Sequence, residues 1–166
     1  MEFRVARPDE LSEIARLYHK IWHETQAPYQ HPDIATFRDV TFMQDRINAF
    51  YPNIIVALNN QQLVGLVVAK EGRISQLFVD QTTRGKNVGQ KLLELGEAKL
   101  VAESTERASL YCIVGNEGAR RFYERNGWQV TETQTKMGQT QHGEVPIKAW
   151  EMVKLLNRLS IGMDGW

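Results

Sequence analysis

Three consecutive strand patterns that run straight into a basic, glycine-bearing turn and a helix constrain this chain more than any other part of its 166 residues. Ile54 to Leu58 is followed by an Asn59-Asn60 turn and then by Leu63 to Ala69, and Glu71-Gly72 makes a second turn before Ile74 to Val79. Apolar runs this short, bounded by turn residues, predict an antiparallel meander. After Asp80 the segment Arg84-Gly85-Lys86-Asn87-Val88-Gly89 leads into a helix predicted to start near Gln90. Val88, Leu92, Leu93, Gly96 and Leu100 mark its apolar face, and its two glycines, seven apart, permit close packing on a sheet.

The flanks complete an α/β pattern. Phe3 to Ala6 reads as a short strand, and Pro8-Asp9-Glu10 opens a helix over residues 9–24 whose inward face carries Leu11, Ile14, Ala15, Tyr18 and Trp22. Thr25 to Pro32 reads as an irregular loop, leading to a second helix around Phe37 to Ala49. Beyond the central helix come a strand at 108–114, a short helix at Glu117–Arg125 stopped by Asn126-Gly127, and a closing pair, Trp128–Met137 with Ile147–Leu155. The polar stretch Gly138 to Pro146 is predicted to be a loop. We expect one domain over residues 3–155 and a tail over 156–166, which reads either as a loose end or, through Ile161 and Trp166, as a homodimer contact.

Composition excludes several classes. Hydrophobic residues make up 42% and charged residues 24%, a soluble globular balance. Lys plus Arg equals Asp plus Glu at 20 each, so no long-range field gathers nucleic acid or an anionic membrane. No apolar run reaches membrane-spanning length and Met1 to Arg7 is unlike a signal peptide, giving a cytoplasmic expectation. Cys112, the one cysteine, lies in the apolar run Ser109 to Val114 and reads as a small core hydrophobe.

The turn before the central helix carries the chemistry. A helix start exposes unpaired N–H groups with partial positive charge, so a slim loop beside it can wrap a pyrophosphate. Arg84 and Lys86 add full charges there, Gly89 lets the backbone approach the phosphate, and Asn87 is the non-glycine residue that best tolerates a left-handed conformation. The segment has neither the Gly-Lys-Ser/Thr ending of an ATP loop nor the three-glycine dinucleotide fingerprint.

Arg84-Gly85-Lys86-Asn87-Val88-Gly89 resembles the Arg/Gln-x-x-Gly-x-Gly/Ala coenzyme A loop of the Gcn5-related N-acetyltransferase (GNAT) family, with Asn87 standing where the family has its first glycine. Asn116 to Trp128, with Ala119, Phe122, Tyr123 and Gly127, is similar to the family's Asn-x-x-Ala-x-x-Phe-Tyr-x-x-x-Gly-Phe block. The resemblance implies a GNAT-like acyl-CoA N-acyltransferase fold: a mixed, mostly antiparallel sheet flanked by helices, with two parallel strands splayed at the cofactor site. It implies that the backbone of Leu77, Phe78 and Val79 pairs with the pantetheine arm of acetyl-CoA, and that Arg84, Gly85, Lys86, Asn87, Val88, Gly89 and Gln90 hold the pyrophosphate. Asn116, Ala119, Phe122, Tyr123 and Arg125 complete the coenzyme site. The implied activity is transfer of acetyl to a primary amine of a small molecule, peptide or protein.

Acetyl transfer needs a neutral amine, a donor for the developing oxyanion and a proton for the departing thiolate. Tyr123 supplies that proton, its phenol having a reference pKa of about 10 against about 8.5 for a thiol. The oxyanion donor is a backbone N–H, that of Val79. Some relatives place a glutamate on the strand at 74–79 as base; here that strand offers only Ser75 and Gln76, so the candidates are His19, His23, Glu24 or a chain of waters. Trp22, His23, Glu24 and Tyr29, with Phe37, are candidates for the acceptor pocket. His19 and His23 have a zinc-compatible spacing, but nothing else in the sequence marks a metal site, and none is expected. Without a strand glutamate, the alternative reading is a non-catalytic acyl-CoA sensor or subunit of the same fold.

Overall fold

A computed structural model describes residues 1–83 and 85–156. Its strands are β1 (Glu2–Val5), β2 (Ile54–Asn59), β3 (Gln62–Lys70), β4 (Arg73–Val79), β5 (Arg107–Ile113), β6 (Gln129–Thr140) and β7 (Gly143–Leu155). They form one sheet in the order β1-β2-β3-β4-β5-β7-β6. Every neighbouring pair is antiparallel except β4 with β5. The helices are α1 (Leu11–Thr25), α2 (Pro32–Phe37), α3 (Val40–Phe50), α4 (Val88–Ala102) and α5 (Glu117–Arg125).

The period-2 alternation of the strands divides the core between the two faces of the sheet. Ile54, Val56, Leu66, Val68 and Phe78 meet Ile14, Tyr18, Ile21, Met43 and Ile47 of α1 and α3 on one face. Val67, Ala69, Ile74, Leu110, Cys112 and Met152 meet Val88, Leu92, Leu93 and Leu100 of α4 on the other. Fully burying a side chain of this size is worth about 1.5–3 kcal/mol, so both helix layers are held chiefly by apolar area. The close approach expected of α4 occurs at Gly96, where an added Cβ would lie 2.9 Å from Ile74 Cδ1 and 3.1 Å from Val67 Cγ2. Gly89 stands farther from its neighbours, 3.6 Å from both Phe122 and Val79.

The meander and the helix-strand order follow the expectation, with four corrections. The first hairpin turns at Asn60 and Gln61, both at positive φ, one residue beyond the predicted turn. α4 begins at Val88, since Asn87 at φ 58° ends the loop before it. The helix predicted around Phe37 is two helices, because Asp39 takes an extended conformation and caps α3 by accepting from Phe42 N at 2.9 Å.

The largest correction is Gly138 to Pro146, which is not a loop: β6 and β7 continue to the Thr140–Gly143 pair, with a two-residue turn between them. Gln139 and Glu144 face solvent, whereas Thr140 is 2% exposed and its hydroxyl donates to Gly143 O across the turn. Pro146 is tolerated because its missing N–H falls on the β5 side of β7, beyond the last bond to that strand, Val114 N to Lys148 O. Ile34 of α2 and Ile147 meet over Gly138, where a Cβ would lie 2.5 Å from each.

A register shift between Val68 and Ala69 of β3 sets Ile74 and Gln76 against neighbouring residues and leaves Ser75 as an extra residue in β4. Such a bulge bends its strand. β4 then touches β5 only at Arg73↔Ser109, and the parallel strands part.

Candidate functional site

The parting of β4 from β5 leaves backbone groups without partners. Asp80 N donates to Val64 O at 2.7 Å, so alternation along this antiparallel pair turns Gln76 and Phe78 towards β3, and the N–H and C=O of Leu77 and Val79 towards β5. On the other side, Val114 N donates to Lys148 O at 3.0 Å, which by the same count points Tyr111 and Ile113 at β4. Two parallel rows of donors and acceptors thus face each other across a gap.

The gap opens into a cleft of about 1070 Å³ bounded by the end of α1, the end of β4, the start of α4 and the inner face of α5. At α4, Asn87 is left-handed at φ 58°, ψ 24°, and its side chain caps nothing. The N–H groups of Val88, Gly89 and Gln90 precede the first helical bond, Lys91 N to Asn87 O at 3.0 Å, and so have no intrahelical acceptor. Gly85, at φ 83° with nothing within 4 Å of a Cβ position, leaves the mouth of the loop open.

α5 forms the facing wall. Asn116 caps it by accepting from Ala119 N at 3.2 Å, which leaves its amide N–H₂ to the cleft. Ala119, Phe122, Tyr123 and Arg125 line the same space. Tyr123 packs edge-on against Phe122 and Trp128, and its hydroxyl has no hydrogen-bond partner among the described residues. Burial pushes this phenol well above its ordinary range, so it stays protonated. Burial likewise raises the Cys112 thiol to about 12, and with Cys112 4% exposed this is an inert core residue.

The sequence-derived residues of β4, α4 and α5 therefore come together: Leu77, Phe78, Val79, Gly85, Asn87, Val88, Gly89 and Gln90 line the cleft opposite Asn116, Ala119, Phe122, Tyr123 and Arg125. Lys86 is exposed outside the lining. Arg84 lies outside the described residues, as does the proposed dimer contact of Ile161 and Trp166.

The acceptor candidates divide. Glu24 and Tyr29 line the cleft, Glu24 being its one carboxylate among the described residues. Trp22 does not: it is 3% exposed in the core, with the Arg38 guanidinium 5.1 Å above its ring. His23 is also turned away, its Nε2 donating to Arg38 O at 2.7 Å, and Phe37 packs edge-on against Phe42. His19 stacks 4.2 Å from the His23 ring, and burial followed by that neighbour lowers its pKa. Among the described residues no group of three or more His, Cys, Asp or Glu is placed to hold a metal.

Other lining residues escape sequence reading. Thr25, the last residue of α1, forms a wall with Gln26 and Pro28 of the turn that follows. Thr83, 3% exposed, donates to Asp80 O at 2.8 Å, while Asp80 accepts from Thr82 N at 3.1 Å. Asp-Gln-Thr-Thr is legible as an Asx turn after a strand, and it fixes the path of the loop.

Residues 25–143 match the family model described as an acetyltransferase (GNAT) domain. The fold is similar to a Gcn5-related N-acetyltransferase of Rhodopseudomonas palustris, with a TM-score of 0.73 and 16% identity over 93% of this chain and 95% of that one. It is also similar to the PaiA N-acetyltransferase of Thermoplasma acidophilum in complex with coenzyme A, with a TM-score of 0.70 and 17% identity over 93% and 98%. A ribosomal-protein-alanine N-acetyltransferase of Brucella melitensis gives a TM-score of 0.70 and 18% identity over 94% and 100%. No curated protein matches the sequence. The cleft lies between the two motif-bearing segments, both within the matched residues, and the chain belongs to the GNAT acetyltransferase family.

Proposed function

We propose that this protein is an acetyl-CoA-dependent N-acetyltransferase that passes the acetyl group directly to a primary amine. The observation that carries the reading is the convergence in one cleft of the unpaired backbone of Leu77 and Val79, the free N–H groups at the start of α4, and the partnerless hydroxyl of Tyr123. Acetyl-CoA supplies an acetyl group already activated as a thioester.

The chain's own groups divide the remaining work. Val88, Gly89 and Gln90 donate backbone N–H groups to the pyrophosphate, helped by the α4 dipole and by Arg125. Leu77 and Val79 extend β4 with the pantetheine arm as if it were a strand, and the Asn116 amide reaches the arm from the other side. The Val79 N–H stabilises negative charge as it develops on the carbonyl oxygen. Tyr123 gives its proton to the departing sulfur and recovers one from solvent. Glu24 is the cleft carboxylate able to accept the proton of the attacking amine, directly or through water.

A specific feature favours the sensor reading: Gln76 occupies β4 where some relatives carry a glutamate, and it is engaged by Tyr18 OH at 3.1 Å. Thiol release from acetyl-CoA across a panel of amines separates the two. Turnover that Tyr123→Phe slows by roughly 10²–10⁴ supports the enzyme. Acetyl-CoA binding with no turnover of any amine supports the sensor.

A further inference from the structure

Five cations among the described residues stack on aromatic rings: Arg38, Arg46, Arg73, Arg120 and Lys136. Arg120 is also paired with Glu124, whereas the other four have no carboxylate at ion-pair distance among the described residues. Arg38 and Arg46 belong to the α1 and α3 layer, whereas Arg73 and Lys136 meet on Tyr111 of β5, next to the Arg73↔Ser109 pair from which β4 and β5 part. From the helix layer, Arg38 covers Trp22 and Phe42, and Arg46 covers Phe42 and Phe50. From the strands, Arg73 and Lys136 lie 4.7 Å and 3.6 Å from the centre of the Tyr111 ring.

Tyr111 faces this side because Ala108, Leu110 and Cys112 alternate to the α4 side. The bulge at Ser75 brings Arg73 onto the same face of β4 as Gln76, whose Oε1 accepts from Tyr18 OH. Gln76 and Tyr111 are thus the two edges of the split on the face opposite α4. Arg73 Nε is buried and makes no hydrogen bond. Glu151, in register with Tyr111, accepts from Gln134 at 3.1 Å and stands at ion-pair distance from neither cation.

Glu151 offsets Lys136 only from beyond ion-pair distance, and two cations without a paired carboxylate repel a simple alkylammonium and lower its pKa. An acceptor with its own anion escapes the repulsion and still has its amine deprotonated more readily. We propose that the acceptor is an amine that also carries a carboxylate or phosphate, the anion held by Arg73 and Lys136 beside Tyr111. The transfer step rests on the acetyltransferase reading; the anion site does not.

Matched probes test the two separately: 4-aminobutanoate against 4-aminobutanamide, phosphoethanolamine against ethanolamine, and spermidine as a purely cationic amine. Each is titrated by calorimetry into coenzyme A-saturated protein and assayed for thiol release with acetyl-CoA. The expected result is that one anionic probe binds roughly tenfold or more tighter than its neutral partner, and that Arg73→Gln and Lys136→Glu each abolish the margin. The pair that shows the margin tells carboxylate from phosphate. Lys136 is exposed and stacks on Tyr111, so K136E removes the cation together with its contact on that ring, and unaltered coenzyme A binding by both variants confirms the fold. Equal binding within both pairs, tightest binding of spermidine, or a margin that survives both substitutions overturns the proposal. A margin in binding without thiol release supports the anion site and counts against acetyl transfer, whereas equal turnover within both pairs overturns the anion site and leaves the transferase standing.

Discussion

The Trp128 indole N–H donates to Glu97 Oε2 at 3.1 Å, and Lys154 Nζ lies 2.7 Å from the other oxygen of the same carboxylate. Glu97 is 2% exposed, in the third turn of the helix whose first turn opens on the cleft. It ties α4 to the strand end after α5 and to β7, so the free N–H groups at the start of α4 are positioned partly from here.

Removing this carboxylate strands Lys154 without its charge partner. Glu97→Ala is expected to lose about 3–5 kcal/mol in chemical denaturation, since a buried ion deprived of its partner costs that much. Glu97→Gln, which keeps an acceptor for the indole, is expected to lose less.

In the proposed mechanism Tyr123, as the proton donor, sets the alkaline behaviour of the reaction. Its phenol is held above the ordinary value of 10.0 by burial, so the proton needed by the leaving thiolate remains available throughout the neutral and mildly alkaline range. The pH profile of kcat/KM is expected to rise as the amine deprotonates and to show no fall below pH 10. Tyr123→Phe lowers the whole curve without creating a new limb.

Arg4 and Glu10 provide a pH-dependent link between β1 and the turn before α1. Glu10 accepts from Arg4 at 2.7 Å and 2.8 Å and from Arg7 N at 2.8 Å, and the Arg4 bond is the first cause of its lowered pKa. A carboxyl whose folded pKa lies below its unfolded one adds stability above the unfolded value, and that stability is lost as pH falls through the folded value. Glu10→Gln should therefore melt at a lower temperature than wild type at pH 7, with the difference closing as pH falls below the ordinary carboxyl range and through the lowered folded value.

The meander, α4 and α5 were legible because each is set by local chemistry: strand runs between turn residues, an apolar stripe at helical spacing, and Asn116 and Asn126-Gly127 as start and stop signals. The cleft residues on those elements followed directly. The β6–β7 extension was hidden because its alternation is polar on the solvent side and broken by Gly138, whose role depends on Ile34 arriving from α2. Trp22 and His23 were misplaced for a similar reason. Helical spacing puts them near the end of α1, but only the tertiary contact with Arg38 decides that both turn from the cleft. The bulge at Ser75, which opens the site, has no residue signature of its own.

Calorimetric titration of acetyl-CoA into wild type and Gly89→Trp tests the central claim most directly. A side chain at Gly89 points towards Phe122 and Val79, across the space assigned to the coenzyme. Saturable binding by wild type that is lost in the variant, with both proteins melting at similar temperatures, is the predicted result. Absence of binding to wild type, or equal binding by both, would contradict the account.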